Sequence, residues 1–125
     1  MDDGLNMQIA GGPEAAARAR RAITGMDADL DPSLRETLRL LVTELVANSV
    51  RHADAEAVTL SVVVGAHAVR TEVTDPGPGF DPAQTGSPRK DHSGWGLFLV
   101  ERLAERWGVA RAGSATRVWF ELPRA

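Results

Sequence analysis

The chain has 125 residues, a net charge of −3 and no cysteine. That length fits one domain around one core, and the charge gives no electrostatic grip on nucleic acid or an anionic membrane. Disulfides and thiolate metal sites are excluded, and His52, His67 and His92 are not spaced as zinc ligands. The opening M-D-D-G-L-N-M-Q-I-A lacks the basic and apolar regions of a signal peptide, and no apolar run reaches membrane-span length. A cytoplasmic protein is the expectation.

In chain order, residues 7–9 predict a short edge strand. Gly12-Pro13 then opens a helix, with Pro13 suited to the first turn and Ala15, Ala16, Ala19, Ala22 and Ile23 on the apolar side. Its arginines, Arg18, Arg20 and Arg21, form a solvated face or, alternatively, a partner contact. Asp31-Pro32 marks the next helix, aspartate as cap and proline as first residue. Leu38, Leu41, Val42, Leu45 and Val46 recur there at helical spacing, and the helix should end within residues 53–55. Residues 58–64 and 68–74 are rich in β-branched side chains and separated by Gly65, Ala66 and His67. That pattern predicts an antiparallel hairpin, with His67 a turn residue.

The sequence D-P-G-P-G-F at 75–80 leads into a polar stretch, 81–93, with no periodicity; loops of that length tend to be functional or disordered. Gly94-Trp95-Gly96 launches a helix predicted to run through Trp107, with Leu97, Val100, Leu103, Ala104 and Trp107 inward and Gly108 placed to stop it. Residues 109–112 and 116–122 close the chain as a hairpin around Gly113-Ser114. No repeat or linker interrupts this order, so residues 1–125 predict a single domain. Helices segregated against one antiparallel sheet make an α+β two-layer sandwich.

Three short patterns carry chemistry. On the long helix Glu44 and Asn48 lie one turn apart, within roughly 40° of each other, at the edge of the core-seeking face. A carboxylate there is costly unless something pairs with it. Asp75 ends a strand and is followed by Gly77 and Gly79, a corner where a planar ligand can approach backbone while the carboxylate accepts from an exocyclic amine. Gly94 and Gly96, at the mouth of a helix, offer bare N–H groups to phosphates. Each pattern alone is also ordinary structure: a solvated helix rim, a capped Pro-Gly turn, a helix start. Neither a P-loop nor a dinucleotide G-x-G-x-x-G occurs.

Together, E-x-x-x-N on a helix, D-x-G-x-G after a strand, and G-x-G opening a later helix resemble the GHKL ATPase superfamily with its Bergerat nucleotide fold. The resemblance runs from Gly12 to Leu122. The lengths, the arginine-bearing first helix and E-L-V-A-N-S-V-R-H-A are most similar to bacterial anti-sigma-factor serine/threonine kinases. It implies ATP and Mg²⁺ as cofactors, with Glu44 as general base and Asn48 as metal ligand through its amide oxygen. It further implies Arg51 near the phosphates, Asp75 reading adenine beside Gly77 and Gly79, and Thr116 supporting that recognition. Residues 81–93 would be the ATP lid, and His92, Ser93, Gly94, Trp95, Gly96 and Leu97 the phosphate cradle.

The implied partners are an anti-anti-sigma-like (STAS-type) protein, phosphorylated on serine or threonine, and a sigma factor; a homodimer is compatible with the pattern, and neither nucleic acid nor membrane is expected. One departure stands out. Relatives often carry an arginine just before the S-G-x-G turn, where this chain has His92, with Arg89 and Lys90 nearby. Two other readings follow from it and from the length: a nucleotide-gated binding module with little catalysis, or a detached histidine-kinase catalytic domain.

Overall fold

The structure is a computed structural model describing residues 4–53, 56–75, 95–112 and 115–124. Its elements are β1 (Leu5–Ala10), α1 (Ala15–Thr24), α2 (Pro32–Ala53), β2 (Ala57–Val64), β3 (Ala68–Asp75), α3 (Trp95–Leu103), β4 (Arg106–Ala112) and β5 (Ala115–Pro123). The five strands form one sheet in the order β1-β2-β3-β5-β4, every neighbouring pair antiparallel. The helices pack on one face of it, as the α+β two-layer reading expects.

Helix α1 buries Ala15, Ala19 and Ile23, a stripe at i, i+4 and i+8. It begins at Ala15, two residues later than Pro13, after Gly12 takes a φ of +126° that side chains with a Cβ rarely adopt. Helix α2 starts where Asp31-Pro32 predicts. The Asp31 carbonyl accepts from the Arg35 N–H at 2.9 Å and its carboxylate from the Ser33 hydroxyl at 3.0 Å. From that first turn Arg35 reaches back and donates to the carbonyls of Ile23, Met26 and Ala28, tying the end of α1 and the connection after it to α2. Leu38, Leu41, Val42, Leu45 and Val46 are buried. Each such side chain contributes about 1.5–3 kcal/mol on leaving water.

The inner face of the sheet follows the period-two pattern of a half-buried strand. Val58, Leu60 and Val62 on β2, Val69 and Val73 on β3, and Val118, Phe120 and Leu122 on β5 are all buried. The β2–β3 hairpin turns through residues 65–67, Gly65 N–H donating to the Ala68 carbonyl at 2.9 Å. On the outer face charges interlock. Arg70 donates to Glu72 and Glu121, Arg106 donates to Glu121, and Arg117 lies 3.6 Å from Glu72. The Arg70 guanidinium also stacks 4.2 Å above the Trp119 ring.

The last helix departs from expectation. Helix α3 ends at Leu103, closed by the Ala104 N–H on the Val100 carbonyl, and Trp107 lies on β4 opposite Phe120. Leu103, expected inward, is 43% exposed. The physical reason is that Trp107 and Val109 also alternate with Arg106, Gly108 and Ala110, so pairing with β5 packs them, partly buried, against the core as a strand. Gly108 is not a helix stop either: a Cβ there would lie 2.7 Å from the Trp119 indole, so the glycine makes room for that ring. The expected turn at Gly113-Ser114 lies outside the described residues.

Candidate functional site

Three chain segments bring polar side chains to one end of the core. Residues 54–56 alone separate the end of α2 from the start of β2, and Thr59 of β2 pairs with Thr74 near the end of β3. The C-terminal end of α2 therefore lies at the Asp75 end of the sheet. Helix α3 finishes near the opposite end, since Arg106 just beyond it pairs with Glu121; its first turn, with Trp95, Gly96 and Leu97, points back toward Asp75. Of the buried polar residues among those described, Asn48, Ser49, Asp75 and Thr116 belong to this end, and Thr71 lies further along β3.

On α2, Glu44, Asn48 and Arg51 fall within roughly 60° of one another around the helix. Glu44 is half-buried and carries no hydrogen bond or ion pair among the described residues. Asn48 is 2% exposed, and its Oδ1 accepts from Arg51 Nη2 at 3.4 Å. Arg51 is exposed and borders a cleft of about 480 Å³ between the start of α1 and the end of α2.

Asp75 is 2% exposed and stands directly opposite Thr116 in the β3–β5 register. The Thr116 hydroxyl is wholly buried and has no hydrogen-bond partner among the described residues. An orphaned donor and acceptor there costs about 1–3 kcal/mol unless a ligand satisfies it. A purine edge has the right chemistry: its exocyclic amine donates to a carboxylate and its ring nitrogen accepts from a hydroxyl. Leu97, 1% exposed, closes the core beside this end. Among the described residues no cluster of three His, Asp or Glu side chains can hold a metal alone. A divalent cation here would take Asn48 Oδ1 together with phosphate oxygens, the usual habit of Mg²⁺.

The structure thus sets Arg51 against Asn48 on α2, one and two turns beyond Glu44, and Asp75 opposite Thr116 across β3 and β5; Trp95, Gly96 and Leu97 open α3. Gly77, Gly79, His92, Ser93, Gly94 and the rest of 81–93, including Arg89 and Lys90, lie outside the described residues. Two residues were missed in the sequence. Ser49 continues the core stripe of Leu38, Val42 and Leu45 and is 3% exposed; a polar residue at that phase was the available signal. Arg111 pairs with Thr116 from β4, so Asp75, Thr116 and Arg111 share one cross-strand row. Only the register reveals that row.

Among the described residues no helix is long and apolar enough to cross a membrane. The family model for the histidine kinase-like ATPase domain matches residues 9–122. Anti-sigma F factor of Pasteuria penetrans is 30% identical over 116 residues, 82% of this chain and 77% of that protein. Serine-protein kinase RsbW of Listeria monocytogenes serotype 4a is 27% identical over 122 residues, 84% and 78% of the two chains. Among solved structures, one holding the RsbU and RsbW domains of a Mycobacterium tuberculosis protein superposes with a TM-score of 0.74 at 19% identity. It covers 95% of this chain, which spans only 32% of that one. The ATP-binding domain of PrrB from the same organism gives 0.59 at 22% identity, with 99% of both chains covered. These two likenesses speak for the fold, and the match over residues 9–122 for kinship: the chain belongs to the histidine kinase-like, GHKL-type ATPase domain family.

Proposed function

We propose that residues 1–125 act as one cytoplasmic ATP-Mg²⁺-dependent protein kinase domain of anti-sigma-factor type. Its substrate is a serine or threonine hydroxyl on an anti-anti-sigma-like partner, and the unphosphorylated partner competes with a sigma factor for this chain. The observation that carries the reading is the buried Asp75–Thr116 pair, with its orphaned hydroxyl, at the end of the core where Glu44 and Asn48 also arrive. Likeness to relatives named serine-protein kinase and anti-sigma F factor supports the choice of acceptor.

Each residue then has one task. Asp75 accepts from the adenine amine and Thr116 donates to the ring. Asn48 Oδ1, together with the phosphates, would hold the metal, which would supply charge neutralisation on the transferring group. By the family resemblance, His92, Ser93, Gly94, Trp95, Gly96 and Leu97 would form the phosphate cradle, and Arg51 would add a cation. Glu44 takes the proton as the acceptor oxygen bonds to the γ-phosphorus and the bond from that phosphorus to the bridging oxygen breaks, leaving ADP. Few side chains are needed, because transfer depends mostly on positioning and charge.

The test is to incubate the protein with ATP, Mg²⁺ and STAS-type partners encoded nearby and read the partner by mass spectrometry. Phosphoserine or phosphothreonine dependent on Glu44 is the expected result. ATP-sensitive partner binding with no phosphate transferred would make the chain a nucleotide-gated binding module instead.

A further inference from the structure

Arg51 is unusual in what it bonds. It is exposed, yet no described carboxylate pairs with it, although Glu44 lies two turns back on the same side of α2. Its guanidinium donates instead to the neutral amide oxygen of Asn48, at 3.4 Å. Asn48 is 2% exposed, and Oδ1 is the only acceptor on its side chain. The bond therefore fixes which way the amide faces.

That oxygen is also the atom a hard divalent cation would take. With one leg of 3.4 Å to the nitrogen and one of ~2.1 Å to the metal, a guanidinium and a dication on one oxygen stand roughly 5 Å apart. Like charges repel strongly at that separation where burial limits water's screening. Released from Asn48, the Arg51 head has two places to turn: the open cleft it shares with Gly12, Pro13, Ala16, Ala47 and Val50, and the incoming phosphates.

Resting on the reading under Proposed function, we propose that Arg51 and the divalent cation compete for Asn48 Oδ1. Arg51 thereby sets the metal concentration at which nucleotide is held, and seating the metal swings the guanidinium away. Removing Arg51 should then make the metal bind more tightly, the opposite of what loss of a supporting residue does.

The experiment is a calorimetric titration of Mg²⁺ into the full chain saturated with ADP. Arg51→Met keeps an unbranched stem beside the cleft and removes the charge. It is expected to lower the half-saturating Mg²⁺ concentration roughly 5-fold or more, the ordinary size of coupling between neighbouring sites. Should Arg51→Met fail to fold, Arg51→Gln carries the same expectation. In an Asn48→Ala background the shared atom is gone, so Arg51→Met should shift nothing. An unchanged half-saturation overturns the proposal, and so does a rise, which would mean that Arg51 orients the amide for the metal. Wild-type protein that binds no adenine nucleotide at any metal concentration overturns the functional reading itself, and this inference with it.

Discussion

The outer face of the sheet and the polar end of the core treat their polar groups in opposite ways. Outside, Arg70, Arg106 and Arg117 share Glu72 and Glu121 between them, and Trp119 is sandwiched by Arg70 above and Gly108 beside it. Each charge there has a mate on a neighbouring strand. At the core's end, Glu44 is half-buried without a described partner and the Thr116 hydroxyl has none either. Exposed pairs contribute little each, because water screens them and ordering two long side chains offsets their attraction. Buried groups with unused bonding capacity cost stability, and such costs concentrate at sites that await a ligand.

The largest test of that contrast is Glu44→Gln. It should lower phosphoryl transfer roughly 10²–10⁴-fold, the usual worth of a positioned base, while ADP affinity measured by calorimetry stays as it was. Equal losses in both would assign Glu44 to binding rather than chemistry. Next, Asp75→Ala should weaken ATP by about 1–3 kcal/mol by leaving the adenine amine unpaired. Unchanged affinity would remove Asp75 from the site.

On the outer face the expected sign is different. Gly108→Ala pushes a methyl into the Trp119 indole and should cost about 1–3 kcal/mol of stability, read as a lowered Tm, with ATP affinity preserved. A matched pair sharpens the comparison further. Thr71 and Thr116 both bury an unpaired hydroxyl, but Thr71 sits two inward positions before Asp75 along β3, about 13 Å away. Thr71→Val and Thr116→Val should each gain about 1 kcal/mol in thermal unfolding, and only Thr116→Val should lose nucleotide affinity. Equal affinities in the two variants would detach Thr116 from the ligand.

The smallest effect belongs to Glu121. Hydrogen bonds from Arg106 and then Arg70 hold its carboxyl below the ordinary carboxylate range. A group lowered in the folded state contributes above its unfolded pKa and loses that contribution as pH falls through the folded one. The Tm gap between wild type and Glu121→Gln should therefore be present near pH 7 and shrink below about pH 4. A gap that persists in acid would mean that packing, not charge, explains it.

Much of this was legible in the sequence, and for physical reasons. Asp31-Pro32 is a strong start signal, and the Leu38-to-Val46 stripe has a helical period that no strand shares. β2 and β3 are β-branched and separated by a short turn that opens on Gly65, so their hairpin stood clear. The last third was harder. Leu103, Ala104 and Trp107 suit a helix, while Trp107 and Val109 suit a strand; only the partner strand with Phe120 decides between them. Gly108 carries the same composition as a stop signal and serves a close approach instead. In the site, E-x-x-x-N and the aspartate at a strand end were visible because one helix turn or one turn of chain sets their spacing. The orphaned hydroxyl of Thr116, the burial of Ser49 and the row through Arg111 depend on pairings between distant segments, which no local pattern encodes.

The strand order β1-β2-β3-β5-β4 also sets when the site can exist. The first three strands and both early helices lie within residues 5–75, so all of them precede β5 along the chain. β5 comes last in sequence yet lies inside the sheet, between β3 and β4, and the Asp75–Thr116 pairing closes a loop across residues 76–115, as β1 and β2 close one across residues 11–56. Loop closure of that kind is slow and is the step most often left until late in folding. A chain that has folded its first two-thirds would already carry Glu44 and Asn48 on a finished helix and still have no pocket for a purine. On the proposed site, nucleotide capture would report completion of the whole sheet, and a ligand that binds only the closed form would stabilise that final step by mass action.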